Sequence, residues 1–182
     1  KRFDGYIMSP AEDRILIQTK TNYIYRRSFT AEYYIYDVKN KKMVPLSAGG
    51  PQQVPSFSPD GKMIATVSRG ELFVTSTDYP TTKRITNTAE SEIAPSFAAD
   101  GRTIAYASER DGNWNIYTAT VVRDEDPNLA YATLLEEKPL FKDNKVDRSY
   151  PKYSPDGKEL AFVEERCRLM VMDIKSGKVR QI

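Results

Sequence analysis

Four short, mostly apolar runs mark the chain: RILIQT (14–19), MIATVS (63–68), TIAYAS (103–108) and ELAFVE (159–164). After a short polar break, each is followed by a run in which apolar and polar positions alternate: YYIYDV, ELFVTS, NIYTAT and RLMVMDI. A third short run closes each unit: MVPLS, KRIT, KPLF and VRQI. Runs of this length with a period of two predict strands, and few long stretches keep a 3.6-residue apolar period. The best helical candidate, 128–137, has Pro127 before it and Pro139 just after it, which predicts loop and strand edge instead.

A recurring phrase precedes each apolar run. SFSPDGKMIA (56–65) returns as SFAADGRTIAYAS (96–108) and as KYSPDGKELAFVE (152–164), with a worn copy, MSPAEDRILIQT, at 8–19. In Pro59-Asp60-Gly61 the proline presets φ at the second turn position, Asp tolerates the next, and Gly supplies the positive φ that re-enters a strand. The phrase is therefore a hairpin turn between two antiparallel strands. Ala99 replaces the proline in the third copy, and the first copy lacks the glycine, which predicts a longer or looser turn there. The copies lie 49, 40 and 56 residues apart, with four strands to each unit. Such spacing predicts all-β propeller blades, which bury their faces only by stacking on neighbours. Four units are few for a ring, so the expected state is part of a larger or a paired ring.

Composition narrows the chemistry. There is no histidine, so no Ser-His-Asp or Cys-His set can be built from this chain. A single cysteine, Cys167, excludes an intrachain disulfide and a cysteine zinc cluster. A net charge of +2 with mixed signs gives no field for nucleic acid, and no run of 18 apolar residues predicts a membrane span. The chain shows no signal peptide and opens on Lys1, which we read as a mature form or a piece of a longer protein.

Few residues offer site chemistry. Arg26 and Arg27 follow an aromatic run in a connection long enough to project from a blade; a guanidinium fork there could bind a carbonyl or carboxylate. Asp124, Glu125 and Asp126 could hold calcium, but they lack ordered ligand spacing, so a solvated charge run is expected and no metal is predicted. Trp114 is expected to pack between blades. Cys167, spaced to share a strand face with Leu169 and Val171, is expected as a small buried residue. The runs 39–42 and 175–178 read as solvated hairpin turns, and no phosphate loop, dinucleotide fingerprint or Gly-x-Ser-x-Gly elbow appears.

The PDGK phrase followed by SERDGNWNIYTAT (108–120) resembles the propeller repeats of TolB and of tricorn-like peptidases, and 67–182 is similar to tricorn-like propellers throughout. The first third is different. YIYRRSFTAEYYIYDV (23–38), leading into QQVPSFSPDGKMIA, resembles the N-terminal propeller of dipeptidyl peptidase IV. There the arginine two residues before the serine binds a substrate carbonyl, which implies that role for Arg26. The family's paired-glutamate segment, which holds the substrate's amino terminus, has no match after Ala65; Glu90 and Glu92 in TAESE lack its aromatic context. A composite or engineered join near FSPDGKMIA, or a natural relative of both families, accounts for the switch.

The expectation is thus one propeller segment over 1–182, of about four blades, with no catalytic machinery and no cofactor. As part of a serine-peptidase-like protein it would gate or position peptide substrate through Arg26. The alternatives are a TolB-like protein-interaction propeller, or an engineered or recombined propeller with no activity. Partners are peptide or protein, with a homodimer as one way to complete a ring; the resemblance implies a periplasmic or secreted location.

Overall fold

The computed structural model describes residues 3–25, 28–143 and 145–182. Sixteen strands form four antiparallel four-stranded sheets, each built in chain order. The first holds β1 (Gly5–Met8), β2 (Arg14–Tyr23), β3 (Phe29–Asp37) and β4 (Lys42–Pro45). The second holds β5 (Gln53–Phe57), β6 (Met63–Ser68), β7 (Glu71–Ser76) and β8 (Thr82–Arg84). The third holds β9 (Glu92–Phe97), β10 (Thr103–Ser108), β11 (Asn115–Val121) and β12 (Leu135–Pro139). The fourth holds β13 (Arg148–Tyr153), β14 (Glu159–Glu164), β15 (Arg168–Asp173) and β16 (Val179–Gln181). The stretch between the prolines holds one 3-10 turn, Leu129–Tyr131, capped by the Asn128 side chain on the Ala130 amide. β12 starts three residues earlier than KPLF, because its register on β11 runs from Val121↔Leu135.

The repeated phrase is the turn between the first two strands of each sheet. Ser58 N–H donates to the Met63 carbonyl, and Gly61 N–H to the Ser58 carbonyl. Buried Ser58 Oγ accepts from the Met63 amide at 2.9 Å and donates to Asp60 at 2.6 Å. Ser154, Asp156 and Glu159 repeat this set in the fourth sheet. The worn first copy is neither longer nor looser. Ser9 bonds Arg14 across the same interval, and Glu12 takes the positive φ of the missing glycine. The carboxylate that caps the serine has moved to Asp13.

Successive sheets pack face to face. Leu16, Tyr33 and Ile35 of the first cover Ile64 of the second. Met63, Ala65, Leu72 and Val74 of the second meet Ile104 and Tyr117 of the third. Ala105 and Ile116 of the third meet Leu160, Phe162 and Met172 of the fourth. The first strands of sheets two to four each carry a bulge, at Val54-Pro55, Ala94-Pro95 and Tyr150-Pro151, with the residue before proline at positive φ. β1 has Gly5-Tyr6 at that place and pairs without a bulge.

Candidate functional site: an arm on the first sheet

The two ends of the stack are built differently. At one end lie the Asp-Gly turns. At the other lie the turns between second and third strands, and these differ in every sheet. Aligned on register, Thr19↔Glu32 of the first sheet corresponds to Ser68↔Glu71 of the second. The second sheet turns in two residues, Arg69-Gly70, whereas the first runs on through 20–31 before it returns. Lys20 at positive φ marks the bulge where β2 and β3 leave the sheet, and the ladder continues through Asn22↔Thr30 and Tyr23↔Phe29.

This arm is anchored at its root and apolar at its tip. Asp4 accepts from both the amide and the hydroxyl of Thr21 at 2.9 Å, and Lys20 pairs with Glu32 at 2.9 Å. That bond to Glu32 raises the Lys20 pKa. At the tip, Ile24 and Tyr25 N–H groups both donate to the Ser28 carbonyl, and Tyr23 packs against Phe29 at 5.8 Å. Tyr23 and Tyr25 are 71% and 79% exposed, and Ile24 is exposed beside them. Water-facing aromatic rings grouped at one loop tip mark a contact surface more than a core. Arg26 and Arg27 lie outside the described residues.

A hollow of about 370 Å³ opens at the arm's root, lined by Thr30, Gly49, Gly50, Pro51, Ser68 and Arg69 among others. Its floor is joined to the arm by backbone: Ala31 and Gln52 exchange both amide–carbonyl bonds. The Gln52 side chain is buried, and its Nε2 donates to the Gly50 carbonyl; Oε1 has no partner among the described residues. The sequence pointed to the projecting connection, but the hollow depends on a pairing between linker and arm that no local pattern announces.

The remaining candidates resolve into structure. Glu92 is 0% exposed and accepts from Thr86, Thr88, Ser108 and Arg110, so it braces the third sheet; Glu90 is exposed. Arg110 lies 4.3 Å over the Tyr117 ring and also pairs with Glu137 at 3.1 Å. Burial, helped by Asp111, pushes the Tyr117 phenol up to about 12. The charge run 124–126 is solvated only in part. Asp126 is 5% exposed, accepting from the Thr133 amide and hydroxyl at 2.7 and 2.8 Å, which hold its pKa below the ordinary value. Among the described residues no group of three acidic, histidine or cysteine side chains gathers to hold a metal. Trp114 is half-buried at the seam of sheets three and four, its carbonyl accepting from Arg148 N–H at 2.7 Å. Cys167 is not the buried strand residue expected: β15 begins at Arg168, so the cysteine falls in the exposed turn from Glu165. The runs at 39–42 and 175–178 are exposed hairpin turns, closed by Asp37 on Asn40 and Asp173 on Ser176.

Four stacked, antiparallel four-stranded sheets, each opened by the same hairpin phrase between its first two strands, define a β-propeller segment. Residues 5–182 match the PD40 family, the TolB beta propeller domain, and the chain belongs to that family. The Tol-Pal system protein TolB of Francisella tularensis subsp. holarctica is 32% identical over 172 residues, covering 73% of this chain and 40% of its own length. The dipeptidyl-peptidase 5 of Porphyromonas gingivalis is 33% identical over 144 residues, covering 70% of this chain and 20% of its own. The crystal structure of P. gingivalis dipeptidyl peptidase 4 superposes with a TM-score of 0.76 over all of this chain and 32% of that one, at 20% identity, a likeness of fold. The chain thus spans two fifths or less of these relatives. The double resemblance read from the sequence is matched: this is a TolB-type propeller related to dipeptidyl peptidase propellers, and no catalytic domain is evident in it. Among the described residues no helix is long and apolar enough to cross a membrane.

Proposed function

We propose that residues 1–182 act as one non-catalytic propeller segment that binds peptide at its arm-bearing end, positioning or filtering substrate for a serine-peptidase-like partner domain. The observation that supports this most is the contrast between a twelve-residue arm and the two-residue turn at the same place in the next sheet. Exposed Tyr23 and Tyr25 precede Arg26 in the sequence; its guanidinium would bind a peptide carbonyl while the rings cover adjoining side chains. The relatives' names support a periplasmic or secreted location for this chain.

Fluorescence anisotropy with short labelled peptides tests the reading. Binding should weaken about tenfold or more in Arg26→Ala and in Tyr25→Ser, because a charge-assisted hydrogen bond and a desolvated ring each contribute on the order of 1.5 kcal/mol. Peptide affinity that is unchanged in both variants, or absent in the wild type, would sink it. A second reading, TolB-like docking of a folded protein, has its own support in a groove of about 630 Å³ at the opposite end, between Tyr79-Pro80 and Pro127–Tyr131. Tyr79→Ser would weaken that docking and leave peptide binding by the arm unchanged.

A further inference from the structure

The groove of about 630 Å³ at the Asp-Gly end is walled by rings from two sheets. Tyr79, 66% exposed, and Pro80 come from the turn between β7 and β8; Pro127 and Tyr131 come from the loop between β11 and β12. Both walls are held in place before anything binds. The Thr81 amide donates to the Tyr79 carbonyl at 2.7 Å. Tyr131 packs on the core shared by sheets two and three, and its hydroxyl donates to Ser76 Oγ at 3.3 Å.

The polar groups around the groove are unbalanced toward donors. The carbonyls of Lys62, Tyr79, Thr81 and Asn128 each accept a backbone amide already, and Asn128 Oδ1 accepts from the Ala130 amide at 3.0 Å. Asp78 is engaged by Arg14 at 2.9 Å. Asn128 Nδ2, by contrast, donates to nothing among the described residues, and its aim is fixed because Oδ1 holds the cap. Ser76 Oγ accepts from the Asp78 and Tyr79 amides and from the Tyr131 hydroxyl, which leaves its own hydrogen without an acceptor among the described residues. The exposed Lys62 ammonium has no ion pair among them either.

An occupant rich in acceptors and poor in donors fits this lining. An extended strand of ordinary residues brings an N–H for every carbonyl, whereas proline brings none. A polyproline II segment leaves its carbonyls free of internal bonds and offers ring faces to tyrosine, and its shape is set before binding. We propose, on the footing that this groove is a docking place, that what enters it is an extended proline-rich peptide segment with an acidic residue placed on Lys62. The tyrosine and proline rings take the ligand's prolines, Asn128 Nδ2 and the Ser76 hydroxyl take its carbonyls, and the lysine takes its carboxylate.

Fluorescence anisotropy tests it on the 182-residue chain, with labelled Pro-Pro-Glu-Pro-Pro-Pro as probe and Ala-Ala-Glu-Ala-Ala-Ala as control. The proline peptide should bind about tenfold or more tighter than the control. Tyr79→Ser should weaken it about tenfold, through loss of one desolvated ring face. Lys62→Glu should weaken it as well and turn the preference to Pro-Pro-Lys-Pro-Pro-Pro. Tyr79 and Lys62 are both exposed, so both variants should keep the wild-type melt by circular dichroism. Tyr25→Ser on the arm should change nothing. No binding of the proline peptide at millimolar concentration would overturn the proposal. Equal binding of the alanine peptide, lost in Tyr79→Ser, would overturn it while keeping the groove as a docking place. Proline-peptide binding that ignores both groove variants would overturn it and remove the groove from the account.

Discussion

The two ends of this stack follow opposite rules. At the Asp-Gly end the same turn is built four times on the same hydrogen bonds, even where Glu12 must adopt a positive φ or Ala98 lacks the serine hydroxyl. These turns also touch one another: a Cβ on Gly61 would meet Ser9 and Pro10 of the preceding turn, and one on Gly157 would meet Ala99. At the other end the turns run to twelve, two, six and three residues, from 20–31 to 165–167. A turn that packs against its neighbour cannot drift without moving that neighbour. One that points into water is free to lengthen and acquire a surface, as the arm has done.

The sharpest way to break the comparison is to place one substitution at both ends. Gly157 lies at φ +71° with a new Cβ 2.9 Å from that of Ala99, so Gly157→Ala should cost roughly 2–4 kcal/mol, left-handed strain plus overlap. Gly112 has φ +85° and open space, so Gly112→Ala should cost only about 1–2 kcal/mol. Equal shifts in the urea midpoint would show that the ends are equally packed. Ser58→Ala comes next, at about 1–3 kcal/mol, because the Met63 amide loses its buried acceptor.

Acid should act on the packed end through its carboxylates. The Ser154 hydroxyl and Lys158 amide hold Asp156 at about 2, below its ordinary 3.8, and Asn40 and Ser176 lower Asp37 and Asp173 in turns at the same end. A depressed folded pKa stabilises the fold above the unfolded value, and this is lost as pH falls from about 4 through about 2. Thermal melts should therefore drop across that window, and less steeply in Asp156→Asn; an unchanged acid limb would remove Asp156 from the account. The smallest stability effect belongs to the arm tip. Tyr25→Ser should move the melting midpoint by no more than about 0.5 kcal/mol equivalent, since the side chain has little buried area to lose.

The repeated turn and the period-two runs made the sheets readable from the sequence, because local chemistry dictates both. Cys167 misled because alternation was carried one residue past the end of a strand, into a turn where Glu165 and Arg166 take positive φ. Asp126 misled because its partner, Thr133, lies across a loop that closes only when Leu129 and Ala130 enter the core. The hollow under the arm arises where the linker between the first and second sheets pairs back, across twenty-one residues, onto the arm of the first sheet, a contact no single stretch encodes.

That loop, 122–134, has a mechanical consequence. It leaves the third sheet, lodges Leu129 and Ala130 beside residues of the second, and reaches Ser76 through the Tyr131 hydroxyl at 3.3 Å. A chain pulled from its two termini would load the sheets in order from the outside, since each holds only to its neighbours. The first and fourth would peel away before the middle pair, which the loop pins together. In a force–extension trace the last and tallest rupture should thus belong to residues 53–139, and Leu129→Ser with Tyr131→Ser should lower that peak without changing the earlier ones.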